Sequence, residues 1–212
     1  MTAKTASKSA KSAAAKSAKT VDAVPSHSEL AVAMFSERRE RFTAEYKVLL
    51  AVDTSAMNGD ELKAHKSALC HAANSVKYAE RFLEALATES AQNIWDTFAL
   101  EPTRVNALAW YAQEKVLFIL RAIAANAPLS SITDNDTTRS LFRALKKAAL
   151  QTREMPARMH DENKTLGMST YSSQATTSRN ALDMFGMLDY DALSKRYSLN
   201  DTAEKYAHII NA

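Results

Sequence analysis

The sequence predicts an all-α protein, a multi-helix bundle with a disordered basic arm at its N-terminus. Three observations lead there. Glycine occurs 3 times and proline 4 times in 212 residues, too few for the many tight turns of a sandwich or barrel. Apolar residues recur at three- and four-residue steps over long stretches. Hydrophobic residues make up 46% and charged residues 24%, the ordinary globular range, so the helices have a core to share.

The elements follow in order. Ser26 and Glu29 have capping-box spacing after Pro25, which opens a first helix. From Glu29 to about Val52 the residues Ala31, Phe35, Phe42, Tyr46 and Leu49 fall on one face, and Asn58-Gly59 breaks the run. A second helix, about Asp60 to Thr88, carries the stripe Leu62, Leu69, Ala72, Val76, Ala79, Leu83 and Leu86. Residues 91–100 form a short helix presenting Ile94, Trp95 and Phe98.

Pro102 suits a first helical turn. The helix it opens, reaching about Asn126, is apolar nearly all round through Trp110, Tyr111, Val116, Phe118, Ile119 and Ile123. Such a helix is expected at the centre, and Pro128 ends it. Asp134 and Asp136 favour the start of the next, about Thr137 to Arg153, and Pro156 is expected to stop it. Residues 156–178 show little helical periodicity and read as a long irregular segment, functional or mobile. Short helices are expected at about 179–187, 189–197 and 201–210. This division gives an arm, 1–26, and a helical domain, 27–212. Whether the domain is one core or two lobes, 27–128 and 129–212 hinged at 128–136, stays open.

The arm holds the sequence's clearest charge signal. Lys4, Lys8, Lys11, Lys16 and Lys19 stand in residues 1–20 without an acidic residue. The whole chain is +3 and the arm +5, so the remainder is −2. The segment TAKTASKSAKSAAAKSAKT has no large apolar side chain and is expected to be disordered when free. Its lysine spacing suits a polyanion. Neutralising five phosphates implies a log–log salt slope of about −4.5 on duplex or about −3.5 on a single strand. A purely solubilising tail, or a segment touching an anionic lipid surface, remains an alternative. In composition the segment resembles the tails of linker histones and the basic arms of viral coat proteins. That resemblance covers about a tenth of the chain and implies phosphate neutralisation.

A second basic feature lies on the helix expected at 137–153. Arg139, Arg143, Lys146 and Lys147 form one stripe, and Arg153 and Arg158 continue it. Such a ridge next to a mobile loop is suited to gripping phosphates, and an ordinary solvated face accounts for the same stripe. Arg38, Arg39 and Arg41 alternate with Glu37 and Glu40 and are expected to pair within the helix. Four late tyrosines, Tyr171, Tyr190, Tyr197 and Tyr206, are candidates either for stacking on unpaired bases or for core and subunit contacts. The stretch ALSKRYSLNDTAEKYAHII resembles a helix-turn-helix, with Leu193–Tyr197 first and Asp201–Ile210 as recognition helix. It departs from that pattern at Ser198, in place of the turn glycine, and at Glu204, where a buried aliphatic belongs. Two packing helices with Asn200 or Asp201 as N-cap are the simpler reading.

No catalytic constellation is legible. His65 and His71 point to different sides of one helix, and neither HExxH nor ExxH occurs. Gly59, Gly167 and Gly186 are too scattered for any phosphate loop. No enzymatic activity, metal or cofactor is expected. Cys70 is the one cysteine and fits a reducing compartment. No apolar run is long enough to span a membrane and no secretory leader is evident. The chain is expected inside a cell, in cytoplasm or nucleoid, or in a virion.

These readings converge on a non-enzymatic, self-associating, nucleic-acid-binding structural protein whose partner contacts are mostly non-specific. Size, helix content and basic arm resemble the helical coat and nucleocapsid proteins of filamentous viruses, which implies a coat, nucleocapsid or packaging role. The alternative is a helical scaffold or adaptor for other proteins, docking through the Met-rich region from Met155 to Met187. A sequence-specific regulator would require the helix-turn-helix.

Overall fold

A computed structural model describes residues 24–134 and 136–211. These form eleven helices and one two-stranded hairpin, so the chain is all-α as the sequence predicts. No described helix is long and apolar enough to cross a membrane.

Helix α1 spans His27–Leu50 and α2 spans Gly59–Leu86. Both begin with a complete capping box. The Ser26 hydroxyl accepts from the Glu29 N–H at 3.1 Å while the Glu29 carboxylate accepts from the Ser26 N–H at 2.8 Å. Asn58 accepts from the N–H groups of Asp60 and Glu61, and Glu61 returns the bond to Asn58 at 2.9 Å. The Asn-Gly pair is therefore the start signal of α2, while α1 already ends at Leu50 with Ala51 as its C-cap. The two helices pack antiparallel. Their deeply buried residues lie at one end only: Ser28, Ala31, Phe35 and Arg38 in α1, and Ala72 onward in α2. The far half of this helical hairpin packs mainly on itself.

At the near end, α3 (Glu89–Thr97) closes the first part of the core. Phe35 and Phe82 stack at 4.5 Å, and both meet Trp95 edge-on, an arrangement that favours their ring quadrupoles.

The central helix differs from the expectation in one respect. Residues 102–126 are two helices, α4 (Pro102–Ala107) and α5 (Trp110–Ala125), separated by extended backbone at Leu108 and Ala109. The Gln113 side chain stabilises the break by donating to the carbonyls of Asn106 at 3.2 Å and Leu108 at 2.7 Å. These carbonyls lie where helical bonds are interrupted. Helix α5 is the central element, with nine residues buried along its 16. Asn126 adopts left-handed backbone, φ 47°, and ends it, a role asparagine fills with little strain.

After α6 (Leu129–Ile132), α7 covers Asp136–Lys147. It stops short of the expected Arg153 because Leu150 pairs with Tyr197 instead, each N–H donating to the other's carbonyl at 2.9 Å. The segment read as irregular is helical. Pro156 sits in the first turn of α8 (Met155–Glu162), and α9 runs Met168–Met184. The buried face of α9 is Tyr171, Ala175, Ser178, Ala181 and Leu182, with Met184 at its end. Its small members permit close packing but give little hydrophobic periodicity.

The helix expected at 189–197 is a β-hairpin. Strands β1 (Leu188–Asp191) and β2 (Arg196–Leu199) pair antiparallel with Tyr190 opposite Tyr197. Asp191 closes the loop by accepting from Leu193 N–H and the Ser194 hydroxyl, and Lys195 turns the chain at φ 55°. The helix-turn-helix reading is thereby corrected: Leu193–Tyr197 is loop and strand. Asn200 does cap the next helix, α10 (Asp201–Lys205), and α11 (Ala207–Ile210) follows. One continuous apolar cluster includes residues from α1 through α11.

Candidate nucleic-acid interface

The cationic stripe predicted on α7 is present as a stripe, but most of its charges are occupied inside the fold. Arg139 pairs with Asp136 one turn earlier, and burial is the main influence lowering its pKa. Arg143 donates to both the side chain and the backbone carbonyl of Asn211 at 2.9 Å, fastening the C-terminal residues to α7. Lys147 bridges to Glu162 of α8 at 2.7 Å and Lys146 approaches Glu204 of α10 at 3.9 Å. Arg158 pairs with Asp161. The ridge therefore ties α7 to its neighbours. Of its members, Arg143 is held by neutral Asn211 alone, and only Arg153 forms neither a salt bridge nor a side-chain hydrogen bond among the described residues. The arm lysines Lys4, Lys8, Lys11, Lys16 and Lys19 lie outside the described residues.

Arg153 stands at the edge of a second feature. Strand β2 is held against the α7–α8 connection by the Leu150–Tyr197 bridge, and Gln151 donates to Ser194 O at 2.9 Å. Arg196 donates to Ala149 O and bonds Glu154. The Glu154 carboxyl is held below its usual range, first by the Gln151 N–H and then by Arg196, Arg153 and Arg158, against an opposing desolvation effect. These contacts frame a hollow of about 550 Å³ lined by Gln151, Thr152, Arg153, Tyr190, Lys195 and Tyr197. Its lining holds two cations and no carboxylate.

Aromatic rings form one wall of the hollow. Tyr190 and Tyr197 are cross-strand partners with centroids 4.7 Å apart. Arg179 lies 5.1 Å from the Tyr197 ring and is steadied by Thr152 and Asn180. Tyr190 is 54% exposed. Because successive strand residues point to opposite faces, Asp189 and Asp191 project away from the Tyr190 ring.

No family model, curated protein or solved structure matches the chain. The assignment of this surface therefore rests on its chemistry alone. A π-face beside cations that form no salt bridge can stack an unpaired base while the cations hold the adjacent phosphates. Sequence reading had named Tyr190, Tyr197 and Arg153 separately. Lys195 and Arg179 were missed, because only the hairpin brings them together.

The remaining candidates have other roles. Tyr171 is fully buried and donates to Asn163 O at 2.6 Å. Tyr206 packs on Phe98. Of the methionines between Met155 and Met187, Met155, Met159, Met184 and Met187 are buried and Met168 is exposed. Arg38 does not pair with its acidic neighbours. It is buried, donates to Asn106 and Gln113, and lies over Trp110. Burial and then Arg41 lower its pKa to about 10.

Sequence reading also missed Lys115. It is 2% exposed and donates to Thr137 Oγ1 at 2.5 Å, with Ser178 3.4 Å from the same hydroxyl. Burial lowers its pKa to about 8. The periodicity of α5 treats position 115 as one more face residue, and the only sequence sign was a lysine inside an apolar helix. Among the described residues no group of three or more His, Cys, Asp or Glu could hold a metal.

Proposed function

We propose that this chain is a structural nucleic-acid-binding protein whose body receives an unpaired stretch of polynucleotide on the β-hairpin, while the lysine arm neutralises flanking phosphates. The observation that carries the reading is the Tyr190–Tyr197 pair beside Arg153 and Lys195, in a hollow whose lining has no carboxylate. The arm supports it with five lysines and no acid in residues 1–20. The rest of the chain has a net charge of −2 by difference, so attraction to phosphate must be local. Contacts of this type read backbone and base π-faces and carry little sequence preference.

Anisotropy of a labelled single-stranded oligonucleotide tests the proposal. Tyr190→Ala should weaken binding about 5- to 150-fold, the effect of losing ~1–3 kcal/mol of stacking on one base. Binding to duplex should change far less. Equal loss on both, or none on the single strand, removes the hairpin from the function.

A further inference from the structure

The α1–α2 hairpin ends in an exposed apolar tip. Val48 is 68%, Leu50 59% and Val52 39% exposed. They flank the C-terminus of α1, in the half of the hairpin that packs mainly on itself. Isolated exposed aliphatics are ordinary, but three within five residues at the end of a projecting element form a knob.

A hollow that fits such a knob lies at the far, C-terminal end of α2. It is about 460 Å³ and its apolar walls are Ala85, Ala91, Ala124, Ala125 and Ile132. The small side chains leave room for more than one aliphatic group. Its rim carries the Glu84–Arg121 pair at 2.9 Å, with Glu89 exposed nearby. The tip offers the matching charges: Lys47 beside Val48, and Asp53 beside Val52. Asp53 is held in its charged form chiefly by hydrogen bonds from Ser55.

Helix α2 has 28 residues, about 42 Å at ~1.5 Å per residue. Tip and hollow sit at its opposite ends, so neither can meet the other within one molecule. We infer that the tip of one copy docks in the alanine-lined hollow of the next, giving head-to-tail self-association. The contact is heterologous. Repeated, it builds an open filament, or a ring if the rotation closes. It is independent of polynucleotide, because the hairpin β1–β2 takes no part in it.

Sedimentation over a concentration range reaching about 1 mM tests this, since an interface this small is populated only at high concentration. The wild-type average mass should rise steadily with concentration. Leu50→Asp removes the tip and Ala125→Glu blocks the hollow. Both positions are exposed, so the fold should tolerate them, with circular dichroism spectra matching wild type as the check. Each variant alone should associate at least about tenfold more weakly than wild type. Mixed together, they should form a heterodimer and stop there, because one good tip meets one good hollow and the two altered ends repel. A wild type that stays monomeric at about 1 mM overturns the inference. So does a tip variant that abolishes association while the hollow variant leaves it intact, which marks tip-to-tip pairing, or a mixture that remains monomeric.

Discussion

Lys115 illustrates what a single buried charge does to this fold. Its ammonium is desolvated and its folded pKa falls from 10.5 to about 8. Below about pH 8 both states are protonated and the folded state carries the full burial penalty. Between the folded and unfolded pKa values, folding releases the proton, so stability rises with pH by about 1.4 kcal/mol per unit. Urea unfolding at pH 7 and pH 9.5 should show wild type gaining stability relative to Lys115→Met, whose own profile lacks this contribution. Parallel profiles for the two proteins would show that the lysine is not buried as described. At neutral pH Lys115→Met should be equal to wild type or more stable, because a well-packed apolar replacement avoids the desolvation. None of this was legible in the sequence, where charge and burial are read separately. Tyr190 and Tyr197 were legible as residue types but not as a pair, since pairing depends on a hairpin whose signal is weak.

At the scale of elements, the caps were the most readable feature. Ser26-Glu29 places the start of α1 within a residue or two because the chemistry is local, whereas the equivalent Asn58-Glu61 box of α2 was read only as a break at Asn58-Gly59. Asn58→Ala should lower thermal stability by about 1 kcal/mol, measured as a shift in the unfolding midpoint. No change would mean that the α2 start is held by packing alone. The apolar stripe of α2 was legible in part: Ala72, Ala79 and Leu86 are buried as read, but Tyr78, Phe82 and Ala85 share that face and were not in the stripe. Helix α9 was not legible, because its buried face uses Ala175, Ser178 and Ala181 where larger residues would mark the period. The β-hairpin was missed for a different reason. Its strands are four residues each, and Leu193 and Tyr197 at i, i+4 imitate a helical face. Its loop needs no glycine because Asp191 supplies the turn hydrogen bonds. Gly186, at φ 57°, is the residue that turns α9 toward this hairpin. Nothing stands within 4 Å of an added Cβ, so Gly186→Ala should cost only about 1 kcal/mol of backbone strain. A much larger loss would point to a clash absent from this geometry.

The whole molecule combines a slightly acidic body with a strongly basic arm, and the two are expected to act on one polyanion. The all-α class followed from scarce glycine and long periodic runs, which are global properties and hard to imitate. The location of the candidate site did not follow, because the stripe that looked most like a phosphate grip is built of cations already committed to Asp136, Glu162, Glu204 and Asn211. Charge count on a helix face does not distinguish a free ridge from a set of internal ties; only the partners do. The most direct test of the account is the salt dependence of single-strand binding by the full chain and by a chain lacking residues 2–20. The log–log slope should fall by about 3.5 on deletion, with weaker residual binding that still depends on Tyr190. An unchanged slope, or no binding by the full chain at low salt, would contradict it.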